Sequence, residues 1–288
     1  MTTPDPEFPP IDHFFTDLAM QYGRMGIGRH AAVAPVVDAL VDEARIPGVG
    51  FLGTLADGVA GFAVLPIADP DWTATSDLGV HVTGAPVVGS VLVDAQVVRA
   101  GSRLVVMKVT VHDGGGDDAD VLLDELRHAA TETSTRRLVA HSLLSFVRMP
   151  REKSRARDIR TDDIIDQIAP RTVTPPDVPL TDRIGLRVLD GDRATVEVDA
   201  TEYVHNSMGS VTGGVHVVAA EAAAAACVPE LSCTGIDLRF LSPVRVGPMR
   251  ATATPLRHGA TDALVAVDLA DGTGHPVSVG TVSLGRRS

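Results

Sequence analysis

A chain that carries one pattern twice is built from two copies of one unit, and that constraint outweighs any other in this sequence. Residues 89–114 and 247–272 align without a gap. Gly89, Arg99, Gly101, Asp113 and Gly114 fall on Gly247, Arg257, Gly259, Asp271 and Gly272 at one constant offset. Both copies alternate apolar and polar residues on either side of a glycine turn, which predicts a hairpin of two long, half-buried strands. Upstream, Gly50–Asp57 lies over Gly214–Glu221, and downstream Leu138–Phe146 resembles Pro276–Leu284. A length of 288 residues allows one large domain or two of about 140. The repeat selects two, 1–150 and 177–288, joined by a linker over 151–176.

Each half reads as a strand, a glycine-rich turn, one helix and several long strands, an α+β pattern. In the second half the first strand is placed at Ala194–Ala200 and the helix at Gly213–Val228. Residues 218–226 read Val-Ala-Ala-Glu-Ala-Ala-Ala-Ala-Ala. A helix apolar on nearly every face is buried, and small side chains let a sheet wrap it closely. Aromatic residues are only 3% of a chain that is 44% hydrophobic, so the core must be Val, Ala and Leu. The first half holds an extra segment, 115–137, acidic and then helix-like over Val121–Ala130, which reads as a surface excursion. The linker joins a basic run, Arg151 to Arg157, to Thr174-Pro175-Pro176, and a short helix near Asp162–Ile168 is expected within it. The amphipathic spacing of Phe14, Phe15, Leu18, Ala19 and Tyr22 predicts a helix over Asp12–Gly23.

The run Asn206-Ser207-Met208-Gly209-Ser210-Val211-Thr212-Gly213-Gly214, followed by Glu221, resembles the hotdog-fold acyl-CoA thioesterases of the PaaI type. Their pattern is an Asn, a Gly, then His-Gly-Gly opening the central helix, with an acid two turns in. The Leu241-Ser242-Pro243…Gly247 corner and, in the first half, Gly50…Thr54-Leu55-Ala56-Asp57 resemble the same unit. The motif His is Thr212 in the second half and Gly48 in the first. The resemblance implies a tandem (double) hotdog fold, with two antiparallel sheets each wrapped around a central helix. It also implies a thioester hydrolase working as an intramolecular pseudo-dimer, with further pairing of such units compatible with an open strand edge.

Because hotdog sites are shared between subunits, two composite sites are implied. The first joins Asn206, Gly213 and Gly214 to Asp57 and Thr75. The second joins Gly48 and Gly50 to Glu221, with Cys233 at the hydroxyl position and Thr234 beside it. In this second site the Asn position falls on Asp42 and Val49 replaces a glycine, so the first site is expected to be active and the second degenerate. Physical chemistry agrees with the assignment. Two glycines at a helix start leave N–H groups unobstructed at the positive end of the dipole, where a carbonyl oxygen gains charge during thioester attack. A carboxylate on a buried helix has its pKa raised by desolvation, which suits a base or nucleophile.

Other functions fit less well. The net charge of -12 argues against a nucleic-acid partner, which selects a basic surface. No metal-ligand cluster, phosphate loop or G-x-S-x-G serine is found, so no metal and no cofactor beyond the CoA of the substrate are expected. Arg99, Arg103 and Arg257, near hairpin turns, are candidates for the CoA phosphates, as is the run Arg151–Arg157. His205 and His216 read as satisfied or surface histidines. They lie outside the Asp–His motif of MaoC-type hydratases. The alternative of another class is a non-catalytic acyl-CoA sensor. Apolar runs stop short of about 20 residues, so no membrane span is predicted. An acidic, Pro-rich start and only two cysteines, Cys227 and Cys233, predict a cytoplasmic protein without a leader.

Overall fold

The computed structural model describes residues 12–128, 134–150, 177–189 and 194–286. The linker, with its expected helix, lies outside the described residues. The first half contains α1 (Phe14–Asp17), β1 (Gln21–Gly26), β2 (Arg29–Pro35), α2 (Val49–Ala68), β3 (Trp72–Val82), β4 (Ser90–Ala100), β5 (Leu104–Gly115), α3 (Ala119–His128) and β6 (Leu138–Met149). The second contains α4 (Leu180–Arg183), β7 (Arg187–Val188), β8 (Thr195–Val198), α5 (Gly213–Cys227), β9 (Ser232–Phe240), β10 (Met249–His258), β11 (Asp262–Ala270) and β12 (Pro276–Gly285).

The twelve strands among the described residues form one antiparallel sheet, ordered β1-β2-β4-β5-β6-β3-β9-β12-β11-β10-β8-β7. Read inward from either edge, the two halves give the same order, so the repeat in the sequence is a repeat in space. The fold is α+β with the expected hotdog arrangement of sheet around helix, and the sheets of the two halves join into one continuous surface. They join where β3 pairs with β9, with Leu78 opposite Leu238 and Val80 opposite Ile236. Those four side chains are fully buried, while Asp77 faces Arg239 and His81 faces Asp237 on the outer side. Glycines make the seam close: a Cβ at Gly79 would stand 2.6 Å from Asp237 Oδ1.

Strands β2 to β6 wrap α2, and strands β8 to β12 wrap α5. The two helices also pack on each other. A Cβ at Gly53 would lie 2.9 Å from Val217 Cγ1, and one at Gly214 would lie 2.6 Å from Thr54 Cγ2. The core is accordingly Val, Ala and Leu. By length and mean hydropathy α2 would suffice to cross a membrane. This corrects the expectation that no apolar run is that long. Its residues are buried because strands cover it on nearly every side.

Two further expectations change. The 115–137 segment is more than an excursion: Leu122, Leu123 and Leu126 of α3 pack on Ala31, Val33 and Leu92, covering the outer face of the sheet beside β1. The N-terminal helix is only Phe14–Asp17. It stops because Ala19 turns to φ +48° and the chain then pairs as β1, Tyr22 against Ala32.

The helix crossing yields a prediction. A Cβ at Gly50 would stand 2.9 Å from the Val218 Cα and 2.7 Å from Glu221 Oε2. Backbone cannot retreat as a flexible side chain can, so Gly50→Ala is expected to lose about 1–3 kcal/mol of stability in urea unfolding. An unchanged midpoint would show that the helices can separate at no cost.

Candidate active site

The loops before α2 and α5 have the same architecture. Single helical turns at Asp38–Leu40 and Glu202–Val204 are each followed by an Asx turn and a one-pair bridge, Val41 with Pro47 and His205 with Val211. Asp42 Oδ1 accepts from the N–H of Ala44 (3.0 Å) and Ile46 (2.9 Å). Asn206 Oδ1 accepts from Met208 (2.9 Å) and Ser210 (3.2 Å). The stretch around Asp42, where the Asn position of the second site falls, is therefore the structural counterpart of the loop around Asn206. Asp and Asn each supply the short acceptor such a turn requires. Asn206 also lines the cavity, and with its oxygen engaged it keeps two amide donors.

Thr212 caps α5 without a side-chain hydrogen bond, and the first N–H groups of a helix have no intrahelical acceptor. Asp57 of α2 meets this helix start. Its Oδ2 lies 2.7 Å from where a Cβ of Gly213 would sit, so only glycine fits there. Its Oδ1 accepts from the Thr75 hydroxyl at 2.7 Å. Thr75 adjoins a β-bulge between Thr75 and Asp77 of β3, the kind of irregularity that re-aims a side chain toward a site. Burial raises the Asp57 pKa from its ordinary value to about 6, against the lowering effect of the Thr75 hydrogen bond. Asp57, Thr75, Asn206 and Gly213 all line one cavity of about 550 Å³, a size suited to a small-molecule site.

Residues of both halves build its walls. Phe15, Met20, Phe62, Trp72, Met208 and Phe240 are among its apolar lining. The N-terminal segment that supplies Phe15 is tied to the second half: Arg183 and Tyr203 both donate to Asp17, and His13 Nε2 bonds the His205 carbonyl at 2.7 Å. His216, one turn into α5, pairs with Ser278 Oγ at 2.8 Å. Burial holds its imidazole down at about 4, so it is neutral at neutral pH.

Glu221 stands on α5 where Asp57 stands on α2, yet it does something different. Its Oε1 accepts from Val49 N–H at 2.9 Å and its Oε2 from Gly50 N–H at 2.8 Å. One extra methylene carries the carboxylate onto the start of α2, as a helix cap supplied from outside the helix. Cys233 Sγ points to the Gly235 carbonyl at 3.7 Å, and Thr234 donates to the Ser283 carbonyl at 3.1 Å.

Other candidates are placed elsewhere. Gly214 does not line the cavity: the space a Cβ would take is filled by Thr54, whose hydroxyl reaches the Gly214 carbonyl at 3.3 Å. Its missing side chain serves helix packing. Arg99, Arg103 and Arg257 do not line the cavity either, because hairpin tips lie away from the helix starts, and Arg257 pairs with Asp262. The cation that does line it is Arg245, exposed and with no ion-pair partner among the described residues. Arg245 lies within the Leu241…Gly247 corner, which was the available signal for it.

Comparison with known proteins bears on the fold and on the second half of the chain. Residues 204–285 match the family described as acyl-CoA thioesterase N-terminal domain. No curated protein sequence matches the chain. Among solved structures, the 12:0-ACP thioesterase from Umbellularia californica is similar at 13% identity and TM-score 0.59, over 96% of this chain and 98% of that one. The tesB protein of Mycobacterium avium subs paratuberculosis is similar at 12% and 0.55, over 94% and 97%. An acyl-ACP thioesterase from Bacteroides thetaiotaomicron is similar at 10% and 0.53, over 91% and 100%. At such identities these likenesses speak for the fold. Residues 204–285 are thus similar to an acyl-CoA thioesterase domain, set in a chain that has the hotdog fold throughout.

Proposed function

We propose that this protein hydrolyses an acyl-CoA thioester to free acid and CoA at one composite site shared between two hotdog domains, 1–150 and 177–288. The observation that carries the reading is the Asp57 carboxylate. It is buried, held by Thr75 and set against the uncapped start of α5 inside a largely apolar cavity.

In this mechanism the thioester carbonyl oxygen lies at the start of α5. There the Gly213 N–H and the Asn206 amide oppose the charge that develops on it. Asp57, ionised, takes a proton from a water molecule, whose oxygen attacks the carbonyl carbon. Thr75 donates a hydrogen bond to Asp57 and keeps lone pairs with which to orient that water. As the C–S bond breaks, the proton held on Asp57 passes to the departing sulfur. A carboxylate pKa near 6 suits both transfers, since proton transfer is most efficient with a group that titrates near the working pH. Arg245 is placed for an anionic group of the CoA portion. The finer likeness to the PaaI type rests on residues 206–214.

The mirror site does not turn over in this reading, because Glu221 occupies the N–H groups a carbonyl would need. A cytoplasmic location is proposed from the two free thiols, Cys227 and Cys233.

Release of free thiol from a panel of acyl-CoA thioesters tests the proposal. Asp57→Asn is expected to lower kcat/KM at least about 100-fold. Glu221→Gln is expected to lower it by less than about threefold, since it touches no reacting atom. The opposite ranking, or binding of acyl-CoA without thiol release, overturns the reading. The parent kcat/KM should rise with pH through about 6 and then level off, because the active form of Asp57 is the ionised one.

The same group sets a stability signature. The folded-state pKa lies above the ordinary 3.8, so the stability Asp57 allows is fully present below about pH 4 and lost as pH rises through 6. Above that, the buried charge costs on the order of 3 kcal/mol. Asp57→Asn should therefore unfold at higher urea than the parent at pH 8 and not at pH 4. Equal midpoints at both pH values would place the carboxylate in water.

A further inference from the structure

Below Asp57, α2 presents an unusual row to the cavity. Asp57, Gly61 and Leu65 follow at four-residue steps, and all three line it. A Cβ built at Gly61 would meet nothing within 4 Å, although Gly61 sits within a helix whose residues are otherwise mostly buried. Its neighbour Gly58 differs: a Cβ there would touch Phe15 Cε1 at 3.0 Å. Helical glycine costs stability relative to alanine, and here no packing neighbour requires it. The cavity is also lined by a cluster separate from the main core. In it Leu65 and Trp72 are nearly buried and pack with Phe62, Met149 and Met208.

We propose that Gly61 sets the length of acyl chain this protein accepts. The alkyl chain leaves the reacting carbonyl at Asp57, crosses the bare backbone at Gly61 and ends on the Leu65–Trp72 cluster. This rests on the hydrolase reading for where the chain begins. Each step along the row advances about 6 Å, and a zigzag alkyl chain advances about 1.25 Å per carbon, so roughly the fifth carbon passes Gly61 and the tenth nears Leu65. A side chain at residue 61 then closes the passage to long chains and leaves short ones untouched.

The test measures binding of straight-chain alkyl carboxylates from butanoate to dodecanoate to the full chain by calorimetry, beside hydrolysis of the matching acyl-CoA thioesters. Gly61→Leu is expected to weaken dodecanoate at least about tenfold relative to butanoate, with Gly61→Ala intermediate. Both variants should melt no lower than the parent, because an open helical position gains from a better helix former. Loss of affinity that is equal at all lengths, or no loss with Gly61→Leu, overturns the proposal. Because the carboxylates carry no thioester, a parent protein that binds them by length but releases no thiol overturns the hydrolase reading and leaves the role of Gly61 standing.

Discussion

The structure depends on how closely α2 and α5 can approach. Two long apolar helices cross inside one sheet, and at the crossing Gly50, Gly53 and Gly214 meet Val218, Val217 and Thr54 with no room for a methyl group. This proximity fuses two six-stranded halves around a common core. It also brings each helix start within reach of an acid on the other helix. Fold and site thus have one cause, since spacing the helices apart would remove the contact between Asp57 and Gly213 along with the core packing.

At that crossing a single methylene separates two outcomes. Asp57, one methylene shorter, rests on Thr75, so it remains a desolvated acid beside a helix start with no side-chain cap. Glu221 reaches the start of α2, and both its oxygens are taken by Val49 and Gly50. A carboxylate that accepts two backbone N–H bonds is a helix cap, whereas one that accepts a single hydroxyl in an apolar cavity keeps acceptor capacity that the fold does not use. The repeat therefore keeps its geometry while its two acids have diverged in what they can do.

Much of this was legible in the sequence, and the rest failed for identifiable reasons. The hairpins were visible because half-buried strands must alternate and their turns need glycine. The repeat aligned the two helices, and the pairing of Asp57 with Gly213 across them came from the resemblance to hotdog proteins, whose sites are shared between subunits. The loop around Asp42 was not legible, since its conformation is carried by one short acceptor and the backbone, and either Asp or Asn satisfies it. The N-terminal helix was overcalled because Phe14, Phe15, Leu18 and Tyr22 have helical spacing, yet tertiary contacts hold Asp17 to Arg183 and send Tyr22 into β1. The length of α2 was missed because Gly and Pro66 interrupt its apolar run on paper but not in the buried helix.

The composition takes on a different meaning once the cavity is placed. A chain of net charge -12 repels an anion at long range, so it needs a cation at the point of entry more than a basic surface. Most arginines near the cavity are committed: Arg148 to the carbonyls of Ile67 and Ala68 at the end of α2, Arg183 to Asp17, Arg239 to Asp77. Arg245 is the one lining the cavity, and it carries no such tie among the described residues. An acidic envelope with one uncommitted guanidinium beside an apolar cavity favours a ligand whose charge sits at one end and whose length lies in the protein. That is the same division of polar head and apolar tail that the row from Asp57 to Leu65 imposes from the inside.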